Sequence, residues 1–409
     1  MKKFLFFVGA LVLIAAIVGV GYWLSQRKSD GGQAGQGDGG GLILPEDIGG
    51  TDGLPEGQSS SSSLTETEPI KTIADVFDFY PISENELIYI KTDGKIIRER
   101  GGVLDNLSGS EITDLQDSAI SPDGSFVFAR FGNRNSPQSS VLDTKDKAWR
   151  PLAESISAYS WSPTGSSLAY FTLNQNSNDL IIKDFSDPKS KPKKILTLHA
   201  RDLDLKWVAK DKILVMEKAS AYTTGAAWTI NPSNATLESV FPDQLGLRLM
   251  WGGVPDRGLI WTGNRAQKGG VLLLIGPKQN ILQQFEFMTL PEKCAFNTEI
   301  IKVTTTTRTT GSKAKTATTT IETTGDTYLF CGVPQDQRSF QINPIPDAYD
   351  QRIIYSEDNV YKIDLKNGNI QLLPREDWGP VDVKSIKVFG GKVFILNRLN
   401  NNLLELPAI

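Results

Sequence analysis

Apolar and polar positions divide the chain into three stretches. From Phe4 to Leu24 no residue is charged and most are apolar (FLFFVGALVLIAAIVGVGYWL). From 25 to 68 large apolar residues become scarce among Gly, Ser and acidic positions. From about 69 to the C-terminus short apolar runs recur, separated by Pro, Gly, Asp and Asn. Such runs, bounded by turn residues, predict strands.

The first stretch predicts a membrane helix. As a helix it spans about 31 Å, close to the ~30 Å hydrocarbon thickness of a bilayer. Lys2 and Lys3 precede it, Arg27 and Lys28 follow, and Tyr22 and Trp23 sit at its far end, where amphipathic rings favour the headgroup layer. A cleaved signal peptide has a shorter apolar core and a small-residue cleavage site. The expectation is therefore an uncleaved signal anchor over 4–24, with 1–3 cytoplasmic, the C-terminal part extracytoplasmic and the lipid bilayer as a partner. Residues 25–68 predict a disordered Gly/Ser/acidic tether, too polar to bury enough surface to offset ordering entropy. Its glycine run has no preceding strand and no Gly-Lys-Ser/Thr, so it is not a phosphate loop.

The third stretch repeats. Ala119–Phe131, Tyr159–Thr172, Leu205–Glu217 and Leu249–Gly263 each read as an apolar strand, a tight turn and a second apolar strand. The matching positions are Phe79, Ile120, Trp161, Trp207, Trp251, Phe296 and Ile386, spaced 41–46 residues apart from Phe79 to Phe296. Polar strand pairs follow the hairpins, as in Asp179–Phe185 and Lys194–Leu198. Four short strands per unit of this length predict an all-β propeller over 69–409. The seven matching residues are its expected blade-core positions. One expanded blade around Phe296 gives seven blades; splitting it gives eight.

Ser121-Pro122-Asp123-Gly124 and Trp161-Ser162-Pro163-Thr164-Gly165, each followed by an apolar strand, resemble the WD40-like, TolB-type repeats of bacterial envelope propellers. The overall order also resembles single-pass propeller proteins of small-genome bacteria, through Lys91–Glu99 and the LPEKC…YLFCGVP pair. The resemblance implies a fold and an envelope location. It carries over no catalytic residue.

A Thr-rich insertion, about 298–326, lies between the only two cysteines. Threonine favours strand. A turn at Gly311–Ala314 places Cys294 and Cys331 opposite each other across one hairpin. That makes them a candidate disulfide in an oxidising compartment.

Composition narrows the chemistry. Hydrophobic residues make up 39% of the chain, below the usual ~45–50%, and the deficit sits in the tether and the Thr-rich insertion. Residues 1–68 hold four basic and eight acidic residues, so the net charge of −4 belongs to them. The rest is neutral and well mixed, which argues against nucleic-acid binding. One His and two Cys argue against a zinc site or a triad, and His199 stands alone. No cofactor, metal or catalytic residue is assigned. The expected role is a non-enzymatic binding or scaffolding module at the cell envelope, with an envelope protein or cell-wall component as partner. The alternative is a propeller enzyme of lactonase or glycan-cleaving hydrolase type at the channel mouth, where Asp78, Asp202 and Asp204 are the acidic candidates.

Overall fold

Pro and Gly turns cut the C-terminal stretch into strands too short to form anything but local sheets. Ser121–Gly124 shows how. Gly124 takes φ +70°, its N–H donates to the Ser121 carbonyl at 2.9 Å, and Asp123 accepts from the Ser121 hydroxyl at 2.7 Å. The computed structural model describes residues 71–408, apart from 110, 154, 201, 253–256, 265–267, 277, 309–315 and 375–377, and without the side chains of 298–327. The expected membrane segment 4–24 and tether 25–68 lie outside the described residues. Among those described, no helix is long and apolar enough to cross a membrane.

The strands form seven four-stranded antiparallel sheets. Six of these blades run in simple sequence order. Their first strands are Val76–Ser83, Leu115–Ile120, Ile156–Trp161, Leu203–Ala209, Arg248–Gly252 and Cys294–Arg308. Blade 7 takes Val383–Phe389, Lys392–Asn397 and Leu403–Pro407, and then Lys71–Ile73 as its outermost strand. Lys71 pairs with Glu405 and Ile73 with Leu403, so a strand from before blade 1 closes the ring. First strands pack side by side from blade 1 to blade 4 and from blade 6 through blade 7 to blade 1, and first-strand residues of blades 1–5 and 7 line a central channel.

The core is divided among the seams between blades. Seven apolar clusters occur, each joining two adjacent blades; the last sets Val76, Phe79 and Leu87 of blade 1 against Phe394, Leu396 and Leu403 of blade 7. Each of the seven repeat positions falls in a different cluster. Phe79, Ile120, Trp161, Trp251 and Ile386 are buried, while Trp207 and Phe296 are half-buried. The Trp161 indole also donates across its seam to the Ala119 carbonyl at 2.9 Å. Trp261 and Trp378 are buried and Trp149 and Trp228 half-buried, all in seams.

Blade 6 is one expanded blade, not two. Its first two strands, Cys294–Arg308 and Thr316–Pro334, form the long hairpin. Its third strand pairs only with Tyr328–Pro334, so the hairpin runs on beyond the sheet. The register puts Cys294 opposite Cys331, and the two form a disulfide with Cα atoms 4.1 Å apart. A bulge between Thr298 and Ile300 then shifts the pairing by one residue, ending with Arg308 opposite Thr316. The bridge closes a sequence separation of 37 residues, so reducing it should lower unfolding free energy by about 3–4 kcal/mol in the loop-entropy picture. Denaturant melts with and without dithiothreitol measure this; coincident curves would assign the bridge no stabilising role.

A segment of blade 6 that the sequence pattern did not reveal links its second and third strands. It carries two short helices, α1 (Arg338–Ile342) and α2 (Asp347–Asp350). It lies at the channel end where first strands begin: Asp350 pairs with Arg248 and Asp347 accepts from the Ala221 N–H.

Candidate functional site in the central channel

Four first strands break register at the same level. Pairing skips one residue between Val76 and Asp78, Leu115 and Asp117, Ile156 and Ala158, and Val383 and Ser385. Such bulges re-aim the side chains beside them and recur next to functional sites. Asp78 and Asp117 follow the bulge in blades 1 and 2, and in both the carboxylate accepts from the next residue's N–H, at 2.8 and 3.0 Å.

The two carboxylates belong to one cluster. Asp78 accepts from the Ser118 hydroxyl of blade 2 at 3.1 Å. Asp117 meets Arg130 of its own blade at 3.0 Å and accepts from the Tyr159 hydroxyl of blade 3. Desolvation by surrounding protein raises the Asp117 carboxyl above the usual range; Tyr159 and Arg130 oppose the rise, and the charge of Asp78 adds to it. The Asp117 side chain keeps 44% of its surface because one flank opens on the channel, which tempers the rise. Burial, with Asp117 and Asp78 adding, lifts the Tyr159 hydroxyl well above its ordinary range, so Tyr159 remains a proton donor.

These groups line a cavity of about 700 Å³. Blade 4 adds Asp204, Lys206 and Trp207, and blade 7 adds Lys387. The Lys387 ammonium donates to the Phe79 carbonyl at 2.8 Å and lies 4.3 Å from the Tyr80 ring centroid. Burial lowers its pKa to about 8; Asp78 works against that fall and Lys206 with it. Lys384 donates to the Phe77 carbonyl at 2.8 Å and is likewise lowered by burial.

Of the acidic candidates read from the sequence, Asp78 and Asp204 line the cavity. Asp202 is exposed at the start of its strand, with φ +51° and its carbonyl accepting from the Lys218 N–H. His199 is exposed and does not line the cavity. Asp117, Tyr159 and Lys387 were missed. Among the described residues no group of three His, Cys, Asp or Glu side chains is placed to hold a metal. The arrangement offers a protonatable carboxyl, a second carboxylate, a lysine titrating near neutrality and an indole face. Perturbed acid and base groups converging in one cavity are the usual makings of an acid–base site.

No family model matches the chain, and no curated protein matches it. Solved structures do. Oligogalacturonate lyase from Vibrio parahaemolyticus is 11% identical, over 84% of this chain and 94% of that one, with a TM-score of 0.50. The β-propeller domain of the Trilobed protease from Pyrococcus furiosus is 13% identical over 81% and 95%, with a TM-score of 0.49. TolB from Acinetobacter baumannii is 12% identical over 51% and 55%, with a TM-score of 0.37. At such identities the likeness shows the fold alone.

The expectation of a non-enzymatic protein finds no support among these folds. Most are enzymes, among them prolyl endopeptidases, acylaminoacyl peptidases, the tricorn protease and oligogalacturonate lyases. The chain spans 54% of the prolyl endopeptidase and 34% of the tricorn protease. A scarcity of His and Cys argues against triads and zinc sites but says nothing against carboxylates and lysines, the groups that line the channel.

Proposed function

We propose that the propeller is an acid–base enzyme that cleaves a glycan at its channel mouth. The observation that carries this reading is that Asp78 and Asp117, each following a matching bulge, line one cavity of about 700 Å³. Asp117, its pKa raised, is the proton donor and Asp78 the acceptor. Water's oxygen bonds to the anomeric carbon while one of its protons passes to Asp78. The carbon–oxygen bond to the leaving sugar breaks, and that oxygen takes the proton of Asp117. Tyr159 and Arg130 hold Asp117, and Trp207 offers a face for a sugar ring.

We also propose a membrane location, for which the uncharged apolar segment 4–24 is the support. It anchors the chain in the cell membrane, and 25–68 tethers the propeller outside, within reach of cell-wall material. A tether of 44 residues has an r.m.s. reach of roughly 35–40 Å.

The test is turnover by the purified full chain in detergent, against acidic and neutral glycans. New reducing ends should form, faster at acidic than at alkaline pH. Glycans left intact across the set would overturn the enzymatic reading.

A further inference from the structure

The cavity holds more positive charge than its own carboxylates neutralise. Arg130 is committed to Asp117 at 3.0 Å. Among the described residues, Lys206 and Lys218, both on the cavity wall and exposed, have no ion pair and no side-chain hydrogen bond. Lys387 has a carbonyl and two ring faces for company, and no carboxylate within ion-pair distance among those residues. Lys206 and Lys387 line the same cavity, and the charge of Lys206 adds to the lowering of the Lys387 ammonium. Folding alone does not favour setting two ammonium groups together; an anion between them would.

Trp207 provides a separate observation. Its ring lines the same cavity, next in sequence to Lys206. Its indole N–H is buried and has no hydrogen-bond partner, an arrangement that costs stability when nothing compensates it. Trp161 and Trp251 also border the cavity but are buried in their seams, whereas Trp207 is half-buried and leaves more of its ring open. An aromatic face flanked by unpaired cations suits a sugar ring that carries a carboxylate.

We propose that the cavity takes an acidic glycan, a chain of uronic acids, with a substrate carboxylate between Lys206 and Lys387 and a sugar ring against Trp207. This deepens the glycan-cleaving reading and rests on it for the reaction, though not for binding. The seam offers Lys387 a structural duty as well, since its ammonium ties blade 7 to the Phe79 carbonyl of blade 1. Lys206 has no such duty, so it separates the two roles.

The experiment titrates the full-length chain in detergent micelles with galacturonate oligosaccharides and, in parallel, with their methyl esters. Esterification leaves the sugar and removes the charge. Binding of the acid should be about 10–100-fold tighter than that of the ester. Lys206→Gln should weaken the acid about 5-fold and leave the ester unchanged. Affinity for the acid should also fall as pH rises through about 8, where Lys387 loses its proton. The charged and titratable groups facing that ammonium are Asp78 and Tyr80 from blade 1 and Lys206 from blade 4. Equal binding of acid and ester, or indifference to Lys206→Gln, would overturn the proposal. Acid bound tightly but left uncut sinks the enzymatic reading and keeps this one. Neutral glycans cut as well as acidic ones do the reverse.

Discussion

Lys293→Met should destabilise the propeller by about 3–5 kcal/mol, the usual cost of leaving a buried charge uncompensated. Lys293 ends the short 3₁₀ turn Pro291–Lys293 before blade 6 and is fully buried. Its ammonium meets Asp358 at 2.8 Å, Asp382 at 3.0 Å and the Ser356 hydroxyl at 2.6 Å. It also lies 4.8 Å from the Tyr349 ring centroid. Asp358 and Asp382 are fully buried themselves, with Arg398 as the other nearby cation, 3.6 Å from Asp382. The network joins blades 6 and 7 to the helical segment, since Tyr349 donates to the Val383 carbonyl at 2.9 Å and Arg398 to the Ile354 carbonyl at 2.8 Å. Methionine keeps most of the stem's packing and removes the charge together with its hydrogen bonds to Ser356 and Asp382.

The pH dependence gives that loss a signature. Burial already raises the Asp358 carboxyl above its usual range, with Lys293 opposing the rise. Without Lys293 the carboxyl rises further. A carboxyl raised in the folded state favours folding as pH falls, because the folded form then binds more protons than the unfolded. The deficit of Lys293→Met should therefore shrink toward acid pH, and Lys293→Met/Asp358→Asn should recover part of it. Denaturant melts at pH 5 and 8 test this. A variant as stable as the parent at both values would show the network contributes nothing net.

The blades were legible because each repeats one chemical solution: an apolar inner strand, a Pro/Gly turn and an apolar return. Strand periodicity even forgives an error of register. Counted from the bulges, Phe79 and Ile386 sit two residues earlier than Ile120 and Trp161. All four still face a seam, because a shift of two keeps a side chain on the same face. The same tolerance hid the channel pair. Matching Phe79 to Ile120 sets the repeat at 41 residues, which puts Asp78 and Asp117 out of step. Val76-Phe77-Asp78 and Leu115-Gln116-Asp117 lie 39 apart, and alignment on them brings the carboxylates together. The cysteine pair was legible for a related reason, since antiparallel pairing ties both residues to one turn centre. Lys293 was not. In Pro-Glu-Lys-Cys it looks like a surface residue, and its partners Ser356 and Asp382 lie 63 and 89 residues away. The helices α1 and α2, at five and four residues, are too short to leave a helical period.

Asp117→Asn should lower kcat on an unactivated glycan by about 10²–10⁴-fold, the range for loss of a positioned general acid, with KM little changed. Asparagine preserves the shape that Arg130 and Tyr159 hold, but it has no proton to give the leaving oxygen. A nitrophenyl glycoside separates this role from simple disruption, because its leaving group departs without protonation. On that substrate Asp117→Asn should retain most of its activity, while Asp78→Asn should lose activity on both. The parent enzyme requires Asp117 protonated, so its rate should fall as pH rises through the elevated pKa of that carboxyl. The charged and titratable groups around it set that limb: Asp78 from blade 1, Arg130 within blade 2, Tyr159 from blade 3 and Lys384 from blade 7. Removing the repulsion with Asp78→Asn should move the limb toward lower pH, since the Asp78 charge contributes to the rise. Equal losses on both substrates in Asp117→Asn would end the general-acid assignment. Undiminished turnover would move the chemistry out of this part of the channel.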